Sequence, residues 1–184
     1  MVQSPARGEA RDTLLAVAAA HVAAQGAHAL SVRAVAREAG VTHASATHHF
    51  GDRDGLLHAL ATQGFTLLAD ALEAAGGAPG GEQSARAYVE FALAHPGHFA
   101  VMFEGHLRAP ADPAWREAAA RAWRGLAGDT PAPQTGPALI ARWSMVHGLA
   151  ALWASGALPE EVTRRGAGAV ASQVAKALNR SLDS

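Results

Sequence analysis

The stretch from Ser31 to Phe50, S-V-R-A-V-A-R-E-A-G-V-T-H-A-S-A-T-H-H-F, leaves few folds open. Val32, Val35, Ala36 and Ala39 recur at three- and four-residue steps, which places them on one face of a short helix. Gly40 follows where a left-handed backbone position ends a helix cheaply, Val41 plugs the corner, and Thr42 is placed to cap a second helix. Helix, glycine turn, helix is the unit whose second helix lies in the major groove of DNA, its N-terminal side chains against base edges. Here that second helix, His43 to His49, is polar around most of its circumference through His43, Ser45, Thr47, His48 and His49. Ala46 and the following Phe50 are left to anchor it, so the exposed remainder is free to touch a partner.

The bulk numbers bound the reading. A chain of 184 residues holds one medium domain, or a small one fused to a second. The absence of cysteine removes disulfides and thiolate metal sites together and fits a reducing cytoplasm. No apolar run approaches the roughly 20 residues that a membrane span needs. The opening M-V-Q-S-P-A-R-G-E-A lacks the apolar middle of a secretion signal, so a cytoplasmic location without a membrane partner is expected. A formal charge of −1 argues against a broad nucleic-acid coat and leaves a site-specific binder open. In residues 1–60, Arg7, Arg11, Arg33, Arg37 and Arg53 balance Glu9, Asp12, Glu38, Asp52 and Asp54. Six of the ten histidines lie there too, which makes this end able to gain positive charge on protonation.

In chain order, a loose start of about ten residues precedes a first helix from Arg11 to Gln25, with Leu14, Leu15, Ala18 and Val22 on its apolar stripe. Gly26 stops it, and Ser31 caps the next. Asp52 is placed as the N-cap of a long fourth helix to about Ala75, patterned by Leu56, Leu57, Leu60, Phe65, Leu67, Leu68 and Leu72. G-G-A-P-G-G, Gly76 to Gly81, is the clearest break. Further helices are expected from Glu82 to Ala94, from Pro96, from Pro113 to Leu126 and from Ala138 to Ser155, with loops at R-A-P-A-D-P and at Gly128 to Pro137. A last helix is expected to run unbroken from Pro159 to about Leu178. No β-type alternation or repeat is present, and the fold class expected is all-α.

The aromatic residues divide the chain. Of the ten, only Phe50 falls in the first sixty residues, whereas Phe65, Tyr88, Phe91, Phe99, Phe103, Trp115, Trp123, Trp143 and Trp153 all follow. A minimal N-terminal scaffold therefore precedes a part able to enclose an aromatic-lined cavity. Phe99, Met102, Phe103, Trp143 and His147 are the candidates for lining it.

Arg11, the Leu14-Leu15 pair, Gly26, the Ser31 cap, V-A-R-E-A-G-V-T, the H-H-F ending and D-R-D-G-L-L together resemble the TetR family of transcriptional regulators, and the resemblance extends over the whole chain. H-P-G-H-F-A-V-M-F followed by W-S-M-V-H-G is similar to the subgroup with a Trp-His-Gly-marked sensor domain, here Trp143, His147 and Gly148. The resemblance implies an N-terminal three-helix helix-turn-helix DNA-binding domain, residues 1–51. A long fourth helix would join it to a helical ligand-sensing and dimerisation domain, residues 52–184. It also implies a homodimer that reads a double-stranded operator and answers to a small-molecule effector. Carried over by position, Arg33, His43 and Ser45 would face bases, and Thr42, Thr47, His48 and Arg53 would hold phosphates. The family most often has tyrosine where this chain has Thr47, whose hydroxyl reaches less far. The family's dimer contact is usually formed by the last two helices. Gly166, Ala167, Gly168, Ala169 and Ala171, with Val162, Val170, Val174 and Leu178, give the last helix here the small and apolar surface for it.

Each signal has a plainer reading. Arg33 and Arg53 also suit solvated surface positions, His43 and His48 suit exposed polar filler, His49 suits half-buried packing, and Trp115 and Trp123 suit a core or an interface. His147 in an apolar helix is either a buried histidine satisfied by a neighbour or a polar group aimed into a pocket. His95, His98, Glu104 and His106 hold enough nitrogen and oxygen for a metal, but Pro96 and Gly97 break the register that would aim the first two at one ion. No metal site and no cofactor are expected. There is no G-x-S-x-G, phosphate loop, H-E-x-x-H or cysteine nucleophile, so no catalytic residue is assigned. The competing readings are a small-molecule-binding helical module without DNA reading and, further off, an all-helical enzyme resting on His147.

Overall fold

The computed structural model describes residues 7–109, 111–128 and 136–182. Helices α1 (Arg7–Gln25), α2 (Val32–Glu38), α3 (His43–Phe50), α4 (Arg53–Ala75) and α5 (Glu82–Ala94) come first. They are followed by α6 (Pro96–Met102), α7 (Pro113–Ala127), α8 (Pro137–Ala154), α9 (Glu160–Thr163) and α10 (Ala167–Leu182). Short 3-10 turns at Ala27–Ala29 and Gly105–Leu107 complete the regular structure, and no strand occurs among the described residues. The expected loops at R-A-P-A-D-P and Gly128 to Pro137 fall in part, at residues 110 and 129–135, outside the described residues, as does most of the expected loose start.

The chain forms two compact units, and neither is continuous in sequence. The first comprises residues 1–64 and 95–115, the second 65–94 and 116–184, so α4 contributes to both. In the first unit Leu14, Leu15, Ala18 and Val22 of α1, Val35 and Ala36 of α2, Ala46 of α3 and Leu56, Leu57 and Leu60 of α4 form one core. Fully burying each of the leucines contributes about 1.5–3 kcal/mol. The α2–α3 corner is a Schellman turn. Gly40 adopts φ 68°, the Val41 N–H donates to Ala36 O at 3.0 Å, and the Gly40 N–H donates to Arg37 O at 3.3 Å. Ser31 Oγ caps α2 by accepting from the Ala34 N–H at 3.4 Å, and Thr42 Oγ1 caps α3 by accepting from the Ser45 N–H at 3.1 Å. Asp52 Oδ1 accepts from the Gly55 N–H at 2.9 Å and so starts α4.

Residues 95–115 join this unit because α6 rests on α1. A Cβ on Gly97 would stand 2.0 Å from the carbonyl oxygen of Ala19, so only glycine admits the approach. His58 of α4 holds the following turn: its Nδ1 lies 3.0 Å from Leu107 O and its Nε2 2.8 Å from Asp112 Oδ2. That contact, together with the Ala114 N–H, holds the Asp112 carboxyl below the ordinary carboxylate range.

In the second unit α5, α8 and α10 pack on one another. Tyr88, Val89 and Phe91 of α5, Val146 and Ala150 of α8, and Val170, Ala171 and Ala175 of α10 are buried. Gly125 of α7 sits so close to Leu72 that an added Cβ would lie 2.7 Å from the leucine Cβ. Arg121 of α7 bonds to Glu73 at 2.6 Å and Asp70 at 2.8 Å. Two sequence expectations need correction. The first helix begins at Arg7, four residues early, because R-G-E-A lacks an apolar pattern but tolerates helix. The expected single helix from Pro159 is two, since Gly166 takes φ 81° and ends the run after Thr163.

Candidate nucleic-acid interface and candidate effector site

The helix-turn-helix presents its polar face outward because α3 has one fully buried side chain, Ala46, 1 % exposed. Phe50, one turn on, is half-buried beneath the Arg11 guanidinium, 5.7 Å from the ring centroid. With Ala46 and Phe50 turned inward, the opposite side of the helix exposes His43, Ala44, Thr47 and His48. Ser45 and His49 lie half-buried between the two faces. On α2, Arg33 is exposed, with Arg37 one turn beyond it, also exposed. Thr42 is exposed, its hydroxyl oxygen already serving as the cap.

Arg53 sits differently from the other candidates. Its Nη2 donates to Ala27 O at 2.8 Å and its Nη1 to Asp54 Oδ1 at 3.0 Å, so part of its donor set ties the 3-10 turn to the start of α4. Ala44 and Arg37 share the outer surface with the sequence candidates but were not among them. Ala44 carries no polar signal, and its place is visible only once Ala46 is known to point inward.

The effector candidates fall in different units. In the first unit the Phe99 and Phe103 rings meet edge-on at 5.6 Å, and Met102, 2 % exposed, packs over Gly64. Beside them His98 is buried with Nε2 2.9 Å from Gln63 Oε1, and its ring stands 5.7 Å from that of His95. Burial, reinforced by the neighbouring His95, lowers the His98 pKa to about 4, so the ring is neutral. Glu104 and His106 form an exposed pair at 3.8 Å.

In the second unit Trp143 and His147 lie one turn apart on α8, ring centroids 6.4 Å apart. His147 Nδ1 is 3.0 Å from the hydroxyl of Tyr88 on α5. The Trp123 ring of α7 stands against Trp143 at 5.9 Å and 89°. Burial lowers the His147 pKa and pushes the Tyr88 phenol up, the latter offset in part by the Trp143 indole. Tyr88, the chain's single tyrosine, was not a sequence candidate, since its pairing with a residue 59 positions away leaves no local pattern. Trp115 of the first unit, expected in a core or an interface, is 8 % exposed with the Arg108 guanidinium over its ring at 5.9 Å.

A capped helix-turn-helix with a polar outer helix, followed by a larger all-helical unit, defines a helical DNA-binding regulator. Residues 14–60 match the model for bacterial regulatory proteins of the tetR family, and residues 81–174 match that for the tetracyclin repressor-like C-terminal domain. The chain belongs to the TetR family and is a DNA-binding transcription regulator, not an enzyme. A protein of unknown function from Rhodococcus sp. RHA1 is 30% identical, with 98% of this chain and 97% of that one covered at a TM-score of 0.72. The TetR family transcriptional regulator PfmR from Thermus thermophilus shares the fold at 20% identity, with 91% of this chain and 97% of that one covered at a TM-score of 0.65. A TetR-family regulator from Streptomyces coelicolor does so at 21% identity, with 97% of each chain covered at a TM-score of 0.61. No curated protein matches. Among the described residues no helix is long and apolar enough to cross a membrane.

Proposed function

We propose that the protein is a cytoplasmic, ligand-responsive homodimeric repressor, released from a palindromic operator by a small molecule. Residues 1–51 read the DNA, and residues 52–184 sense the effector and dimerise. The observation that carries this reading is the outer face of α3: His43, Ala44, Thr47 and His48 are exposed on a helix held by Ala46 and two capped turns. Arg33, His43 and Ser45 face base edges, the Ala44 methyl suits a thymine methyl, and Thr42, Thr47, His48 and Arg53 lie toward phosphates. Arg53 acts from a guanidinium already oriented by Ala27 and Asp54.

Dimerisation is supported by an apolar surface in the second unit. Ile140 and Leu152 of α8 and Val174 and Leu182 of α10 are the large hydrophobic side chains that stand exposed among the described residues, at 37–48%. Two copies joined there would carry recognition helices to half-sites about 34 Å apart, one turn of the duplex. The effector contacts Trp143 and His147 in the second unit, in keeping with the Trp-His-Gly subgroup. For the effector to lower occupancy about a hundredfold it must favour the non-reading state by about 2.7 kcal/mol. α4 carries the response, since its residues belong to both units.

Selection of bound fragments from random DNA tests the reading. An inverted repeat with half-sites one turn apart is expected, and its retention should fall when pools of small molecules are added. Enrichment of no sequence over the starting pool would leave a binding module without DNA reading.

A further inference from the structure

Affinity for a duplex comes first from cations set against its phosphates, and α3 brings none of fixed charge. The helix H-A-S-A-T-H-H-F holds no lysine or arginine, and the formal charges of residues 1–60 cancel. Helices α1 and α2 pack on it, and their charged groups are largely engaged. On α1 the Arg11 guanidinium lies over the Phe50 ring, and His21 is bound to Glu38 of α2 at 2.6 Å. Glu9 and Asp12 of α1 are exposed, as are Arg33 and Arg37 of α2, which join no carboxylate among the described residues. At the start of α4, Asp52 caps the helix and Arg53 is held by Ala27 O and Asp54 Oδ1, while His58 is engaged with Leu107 O and Asp112. The three histidines of α3 are placed unequally. His43 opens the helix, where the positive end of the helix dipole disfavours a further positive charge, and His48 lies in the last turn, where the negative end favours one. His48 is exposed and joins no carboxylate among the described residues, whereas His49 is half-buried between the His48 and Phe50 rings, each with its centroid 5.9 Å away. Two imidazolium rings so close would repel, so the pair has room for one added charge, on the ring that a phosphate can reach.

We infer that docking on the operator is coupled to the uptake of one proton per protomer at His48, whose ring becomes a cation as a phosphate comes to lie against it. The inference rests on the proposed reading of a duplex by α3. Imidazole is the side chain whose charge changes near neutral pH, and a nearby anion favours its charged form. The proton comes from solvent and completes the second N–H of the ring, which then donates to a phosphate oxygen in a charge-assisted hydrogen bond. His43, at the other end of the helix, stays neutral and keeps one donor and one acceptor for a base edge. A backbone contact carries no sequence information, so a fall in pH tightens the hold on every sequence alike and leaves the preferred one unchanged.

The affinity of the full-length protein for the selected operator, measured at fixed salt from about pH 8 to about pH 6 with helix content unchanged, tests this. It should rise about tenfold or more, and the plot of log affinity against log salt should be steeper at the lower pH by about 2, one phosphate for each protomer. His48→Gln keeps a donor and an acceptor but cannot titrate, so it should remove most of the rise, whereas His43→Gln should keep it. His48→Arg, charged throughout, should bind at about pH 8 as tightly as the unaltered protein does at about pH 6. A rise that persists in His48→Gln, or that vanishes in His43→Gln instead, would put the proton elsewhere and overturn the inference. A flat profile for the unaltered protein would overturn it too and leave DNA reading standing. If no sequence is retained over competitor DNA at any pH, the proposed regulator falls together with the inference.

Discussion

At the scale of single residues, His98 shows how burial becomes a pH response. Its neutral ring donates through Nε2 to Gln63 Oε1, and protonation at its folded pKa of about 4 is opposed first by burial and then by His95. In the unfolded chain the ring takes up its proton near the ordinary value of 6.5, so the unfolded state binds more protons between pH 6.5 and 4. The stability contributed is complete above that window and is lost as pH falls through it, by about 3 kcal/mol. Unfolding midpoints measured from pH 7 to 4.5 should therefore fall less steeply for His98→Gln, which keeps an amide partner for Gln63 but cannot titrate. Parallel profiles would place the pH response elsewhere. Thr47 gives a prediction about DNA. Tyrosine at this exposed position reaches further, so Thr47→Tyr should tighten binding to all sequences alike, severalfold at fixed salt, without changing the preferred one. An unaltered affinity in a gel-shift titration would mean that this position does not meet the backbone.

At the scale of elements, two glycines matter for different reasons, and substitution separates them. Gly40 has φ 68° with nothing within 4 Å of a would-be Cβ, so Gly40→Ala should lower stability by about 1–2 kcal/mol through backbone strain alone. Gly97 has an ordinary φ but meets Ala19 O, so Gly97→Ala must push α6 away from α1 and should cost more than Gly40→Ala in the same chemical denaturation series. Equal costs would mean that α6 is seated by other contacts. The corner at Gly40 was legible in the sequence because caps and a Schellman turn are local: Ser31, Gly40 and Thr42 declare themselves within a few residues. The seat of Gly97 was not, because Ala19 lies far away in sequence and a small residue opposite a carbonyl leaves no periodic mark. The break between α9 and α10 was missed for a related reason. Gly166 and Gly168 read alike in the chain, yet only Gly166 turns left-handed while Gly168 stays helical beside Arg86 and Glu90.

At the scale of the whole molecule, the fold class and most helix positions followed from apolar periodicity and from Gly and Pro punctuation, and α5 matches its expected bounds at both ends. The two compact units were less legible. Their membership depends on α6 settling against α1, whereas sequence patterning marks only the change from small to aromatic side chains. Tyr88 joins His147 for the same kind of reason, through tertiary packing of α5 on α8. The proposed assembly gives a further prediction: Val174→Glu, at an exposed apolar position on α10, should sediment as a monomer where the unaltered protein sediments as the proposed dimer, and equal coefficients would move the interface elsewhere. The central claim is that the outer face of α3 reads a duplex. Its most direct test is the affinity of a His43→Ala, Thr47→Ala variant for the selected operator, measured in the presence of competitor DNA at fixed salt. A loss of about a hundredfold or more, with helix content and sedimentation unchanged, is the predicted result. Binding equal to that of the unaltered protein would contradict it.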